Sequence, residues 1–174
     1  MSKLKKISIS GILLAIAMLL PMLTFQIPRI GNMLCPMHIP ILLCGFICGW
    51  PYAMIIGFIA PIMRFFIFGM PPIFPTGLAM MFELAAYGFF TGYLYKKFFK
   101  KPFGVYTSLI SAMILGRFVW GIAMYLISAF TMVKFNLSVF VTAGFINAIP
   151  GIIVQIILIP VLVLSLKKVK GIAI

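Results

Sequence analysis

Acidic side chains are almost absent from this 174-residue sequence: Glu83 stands alone against fourteen lysines and arginines, and aspartate does not occur. A single carboxylate excludes paired-acid catalysis and carboxylate-built cages for divalent cations, both of which need at least two such groups. Histidine is equally scarce, with His38 the sole instance. No HExxH zinc motif, serine-nucleophile motif or phosphate-binding glycine loop occurs, so the chain lacks the parts of an enzyme and of a pump that hydrolyses ATP by itself. Cys35, Cys44 and Cys48 are odd in number and lie in or beside apolar sequence, which speaks against a disulfide framework and for small packing residues. They and His38 do not follow a zinc-ligand spacing, and neither metal nor cofactor is expected.

What the sequence has in abundance is apolar surface. Hydrophobic residues make up 64% of it and charged residues 9%, with a mean hydropathy of +1.26. These values belong to integral membrane proteins. A spanning helix takes roughly 20 apolar residues, so the length allows about six spans with tight connections in a single membrane domain. Ten lysines form three clusters at segment ends: Lys3, Lys5 and Lys6; Lys96, Lys97, Lys100 and Lys101; Lys167, Lys168 and Lys170. That placement marks cytoplasmic ends under the positive-inside rule, with attraction to anionic lipid, and does not suit a nucleic-acid groove. The basic, then apolar N-terminus lacks a small-residue cleavage site and reads as a retained first helix.

The expected fold is therefore an all-α integral membrane protein with six transmembrane helices, near 7–25, 37–50, 52–68, 77–95, 103–130 and 138–166, and both termini cytoplasmic. In span 1, Gly11 and Ala15 stand four apart with Ser8 close by, a small-residue face suited to close helix approach within the protein or by a partner subunit. Residues 26–36 are too rich in proline, glycine and polar groups to continue a helix and form an outer loop carrying Arg29 and Asn32. Pro71, Pro72 and Pro75 stiffen a second outer loop. The tight link at 49–52 makes spans 2 and 3 a hairpin.

Ionisable groups inside lipid are costly and usually mark a pathway or a binding site. By depth, Arg64, Glu83, Trp120 and Asn147 fall in the outer half of the membrane, Arg117 near its midplane, and His38 and Asn32 near the outer surface. Two intramembrane arginines face one glutamate. If Glu83 pairs with either, one cation remains to attract an anionic ligand group in a cavity of low dielectric. The alternative is a structural Glu83–Arg117 pair with Arg64 extended toward lipid phosphate. The candidate substrate contacts are Arg64 or Arg117 for an anionic group, Asn32, His38 and Asn147 for hydrogen bonds, Trp120 for packing, and Glu83 as a ligand contact or to orient an arginine.

Three stretches carry a family resemblance: MLCPMHIPILLCGFICGWPYA (33–53), FGMPPIFPTGLAMMFELAAYG (68–88) and FINAIPGIIVQIILIP (145–160). With the six-span layout and the Gly11/Ala15 face, the chain resembles the substrate-binding S component of energy-coupling factor (ECF) transporters, most closely the pantothenate type. The resemblance implies capture of substrate from outside in a pocket closed by the loop between spans 1 and 2. It also implies docking through span 1 on a membrane scaffold subunit driven by two cytosolic ATPases, and release inside after toppling in the membrane. The family's docking motif has two alanines separated by three residues; Gly11 replaces the first. Other vitamin-like ligands, of pyridoxine, folate or queuosine type, suit the same polar groups, and a membrane assembly subunit without a ligand is a second class of function.

Overall fold

The computed structural model describes residues 1–24, 33–98, 103–131 and 135–167. Among these the chain forms seven α-helices and no strand: α1 (Lys3–Leu19), α2 (His38–Ile47), α3 (Trp50–Phe68), α4 (Leu78–Phe98), α5 (Gly104–Ala129), α6 (Leu137–Val141) and α7 (Ile149–Lys167). Tighter winding extends α1 through Leu20–Thr24, and wider turns at Ile73–Gly77 and Thr142–Ile146 lead into α4 and toward α7.

The boundaries follow local chemistry. The Ser2 side chain accepts from the Lys5 amide and caps α1, as Asn136 accepts from the Val139 amide and caps α6. Gly49 (φ 92°) precedes α3 and Gly69 (φ 70°) ends it, two left-handed positions that favour glycine, while Pro51 suits a first turn where no intrahelical donor is needed. Pro61 and Pro160 lie within α3 and α7, and each removes one backbone donor there.

Among the described residues five helical segments are long and apolar enough to cross a membrane: Lys3–Met22, Trp50–Phe68, Ile73–Phe98, Gly104–Ala129 and Ile149–Lys167. The expected span at 37–50 differs. It is the ten-residue α2, about 15 Å long and half of a hydrocarbon core. The expected span at 138–166 is divided into α6, the turn after it and α7.

Large apolar side chains cover the outside, as with Phe66 (74% exposed), Ile122 (61%) and Ile157 (62%). The polar side chains of His38, Arg64, Glu83, Arg117 and Gln155 are buried within. This polarity, reversed relative to a water-soluble protein, is what a hydrocarbon solvent selects.

Glycines let the central helices touch backbone to backbone. Gly57 lies on the Leu84 carbonyl, Gly88 on that of Ala53, and Gly92 on the Trp50 backbone, which fixes the antiparallel register of α3 against α4. Gly45 brings α2 onto Thr91 of α4, and Gly116 brings α5 onto the Tyr87 ring. Helix α4 is thus packed by α2, α3 and α5. Its one carboxylate is sealed in the centre.

Candidate functional site

The register explains which charges meet. From the shared turn where Gly49 lies beside Gly92, Glu83 is nine residues up α4 and His38 eleven residues up α2, about 13 and 16 Å by helical rise. They reach the same level. The sequence expectation that put His38 near the outer surface, apart from Glu83, is corrected here, because α2 is a half-length helix whose first residue lies inside the bundle.

Arg117 completes the cluster from α5. Its Nη1 lies 2.8 Å from Glu83 Oε1, and His38 Nε2 lies 3.5 Å from the same oxygen. Glu83 is 2% exposed, so water does not compete for the pair. The His38 ring meets Tyr87 edge-on at 5.1 Å. His38 Nδ1 and Arg117 Nε are buried without a hydrogen-bond partner among the described residues. Unfilled polar atoms in such a place cost about 1–3 kcal/mol each.

A second layer comes from the segment before α2. Cys35 adopts a left-handed backbone (φ 47°) ahead of Pro36, and its carbonyl accepts from the His38 amide at 3.1 Å. Arg117 Nη2 donates to Cys35 Sγ and Gln155 Nε2 of α7 donates to the Cys35 carbonyl, each at 3.5 Å. Burial pushes the Cys35 thiol above its ordinary pKa, against the pull of Arg117. It is a neutral partner and adds no anion. Gly151 makes room for this segment, since a Cβ there would stand 2.6 Å from the Met33 carbonyl oxygen.

Arg64 is separate. By register it faces Gly77, six residues outward of Glu83 and about 9 Å away along the bundle. It is 4% exposed and does not extend to the surface; Nη1 donates to the Met18 carbonyl at 2.5 Å, and the guanidinium lies over the Phe68 ring at 5.3 Å. Pro21 has no N–H to offer Met18 in the tight turn that ends α1, so Arg64 supplies the donor. No carboxylate balances its charge among the described residues, because Glu83 is committed to Arg117.

The remaining expected residues lie apart. Trp120 is half-buried and packs on Phe135, Phe140 and Gly144 in an aromatic group on α5 and α6. Asn147 is exposed where the Thr142–Ile146 turn ends, and its backbone N–H donates to the Thr142 carbonyl at 2.9 Å. Asn32 lies outside the described residues. Gly11 and Ala15 are both exposed on α1, and nothing stands within 4 Å of where a Gly11 Cβ would be. Cys35 reads as a packing residue from sequence, and Tyr87 is not singled out. The only local signal at Cys35 is the proline that follows it; that at Gln155 is a polar residue within an apolar run.

A bundle of membrane-length helices with apolar surfaces outward and its arginines and glutamate buried inward defines an integral membrane protein. Residues 5–163 match the family described as ECF transporter, substrate-specific component, and the chain belongs to that family. Its members are transport proteins and not enzymes, and membership implies a substrate and an ECF complex of scaffold and ATPase subunits. No curated protein and no solved structure matches the chain.

Proposed function

We propose that this chain is the pantothenate-binding subunit of an ATP-driven vitamin uptake transporter in the bacterial cytoplasmic membrane. It crosses the membrane six times with both termini inside, captures substrate from the outer side and releases it to the cytoplasm. The observation that carries the substrate class is the charge count. Glu83 is neutralised by Arg117 at 2.8 Å, and Arg64, buried nearer the outer rim, holds only a carbonyl and a ring among the described residues. A site with this surplus favours a ligand with a carboxylate, which a bidentate guanidinium recognises well. His38 Nδ1 and Arg117 Nε, unfilled among the described residues, offer hydrogen bonds to the hydroxyl and amide groups that pantothenate also carries. Trp120, Asn147 and Asn32 contribute at the rim.

Docking on the membrane scaffold, with its two cytosolic ATPases, uses the Gly11/Ala15 face of α1. Ala17, the other small residue nearby, is fully buried against the bundle, which leaves Gly11 and Ala15 for a partner. Mass spectrometry of the small molecule that copurifies with the chain, followed by calorimetric titration with pantothenate, tests the reading. Pantothenate should be retained and bound stoichiometrically. A retained molecule of another mass identifies a different vitamin-like substrate, and a chain that retains and binds nothing is an assembly subunit.

A further inference from the structure

The described lysines of all three basic clusters gather at one end of the bundle. Lys6 of α1 and Lys96 of α4 line a cavity of about 570 Å³ whose other walls include Cys48, Trp50, Tyr52 and Tyr95. Lys6 Nζ lies over the Tyr52 ring at 5.9 Å, and Lys167 Nζ of α7 over the Tyr95 ring at 5.3 Å. The rings draw the half-buried Lys6 and the exposed Lys167 toward the cavity. The volume is that of a small-molecule site.

Neither Lys6 nor Lys96 has a carboxylate side chain beside it at this end of the bundle. The only carboxylate side chain, Glu83, is buried with Arg117 nine residues up α4 from the Gly92 that lines the cavity, about 13 Å away. Lys6 and Lys96 therefore suit an anionic group bound from outside. Trp50 and Tyr52 are residue types that settle at the level of lipid headgroups, and the cavity opens at the ends of helices of membrane length. We propose that this cavity is a binding site for the phosphate headgroup of an anionic phospholipid, held between Lys6 and Lys96 with Trp50 and Tyr52 against its glycerol and first acyl carbons. The site spans the feet of α1, α3 and α4, so a bound lipid joins the helix with the exposed small-residue face to the helix that carries Glu83. It stands apart from the Glu83 cluster and does not depend on which substrate that cluster takes.

Native mass spectrometry of the full chain in detergent, with phosphatidylglycerol or phosphatidylcholine added at equal mole fraction, tests the site. Phosphatidylglycerol should be retained in preference to phosphatidylcholine. Lys6→Gln with Lys96→Gln should lower that retention by about fivefold per lysine removed, whereas Lys3→Gln with Lys5→Gln, an equal loss of charge away from the cavity, should leave it within about twofold. Lys→Arg at both lining positions should restore retention, and a melting curve without lipid shows whether the double variant is folded. An equal loss in both glutamine pairs overturns the site in favour of diffuse attraction, as does equal retention of the two lipids. Displacement of phosphatidylglycerol by millimolar inorganic phosphate overturns the lipid as occupant and leaves a soluble phosphate in its place.

Discussion

The Glu83–Arg117 pair allows a sharp test of the site's electrostatics. Both side chains are buried, with Nη1 and Oε1 2.8 Å apart, so neither charge has water to fall back on. Glu83→Gln keeps the shape and a carbonyl acceptor but leaves Arg117 and Arg64 as two buried cations without a carboxylate. Breaking a buried pair in this way costs about 3–5 kcal/mol, whereas replacing both charges together costs far less. Arg117→Met should therefore destabilise by a similar amount, and the double variant by less than either single one. For domains of this size the single variants should melt about 6–20 °C lower, and the coupling energy from the cycle should be several kcal/mol. Melting of the four proteins in one detergent, checked by reversible unfolding in mixed micelles, provides the numbers. Additive losses would show that the two groups do not sense each other, and the charge argument for an anionic substrate would fall with the pair.

Four other outcomes follow from the same geometry. Arg64→Gln should weaken binding of a carboxylate ligand by about 1.5–3 kcal/mol, or roughly ten- to a hundredfold, with Arg64→Lys intermediate; calorimetric titration measures both. Gly88→Val places side-chain atoms against the Ala53 carbonyl and should lower stability by about 1–3 kcal/mol or more, read as a lower melting temperature. Ala15→Phe should abolish uptake in cells while leaving the affinity of the isolated chain unchanged, since this face is exposed on α1. Cysteines introduced at positions 96–101 should be labelled only from the cytoplasmic side; labelling from outside would invert the topology and the direction of capture.

Local structure was readable where a residue type has one dominant use. The proline and glycine punctuation around 49–52 and 69–76 announced the ends of α3, and the lysine clusters announced ends of the bundle that do gather together. Helix length was less readable. The run from 37 to 50 is apolar enough for a span, but Pro36 and Gly49 enclose only ten helical residues, and hydropathy does not distinguish a short helix buried in protein from a longer one bathed in lipid. Depth counted along separate spans failed for His38 for this reason, and placed Arg117 at a different level from Glu83 although its long side chain closes the gap.

Composition alone determined that this protein lives in a bilayer, that it carries no catalytic carboxylate pair and that one acid must serve two intramembrane arginines. Those conclusions rest on what each side chain costs in hydrocarbon, a property of the residue rather than of its neighbours. Which arginine takes the acid was decided only by packing. Gly57, Gly88 and Gly116 let α3 and α5 close on α4 in a register that sets Arg117 beside Glu83 and leaves Arg64 about 9 Å further out on the Met18 carbonyl. Charge attraction at these distances selects the nearer partner, and nearness belongs to the assembled helices.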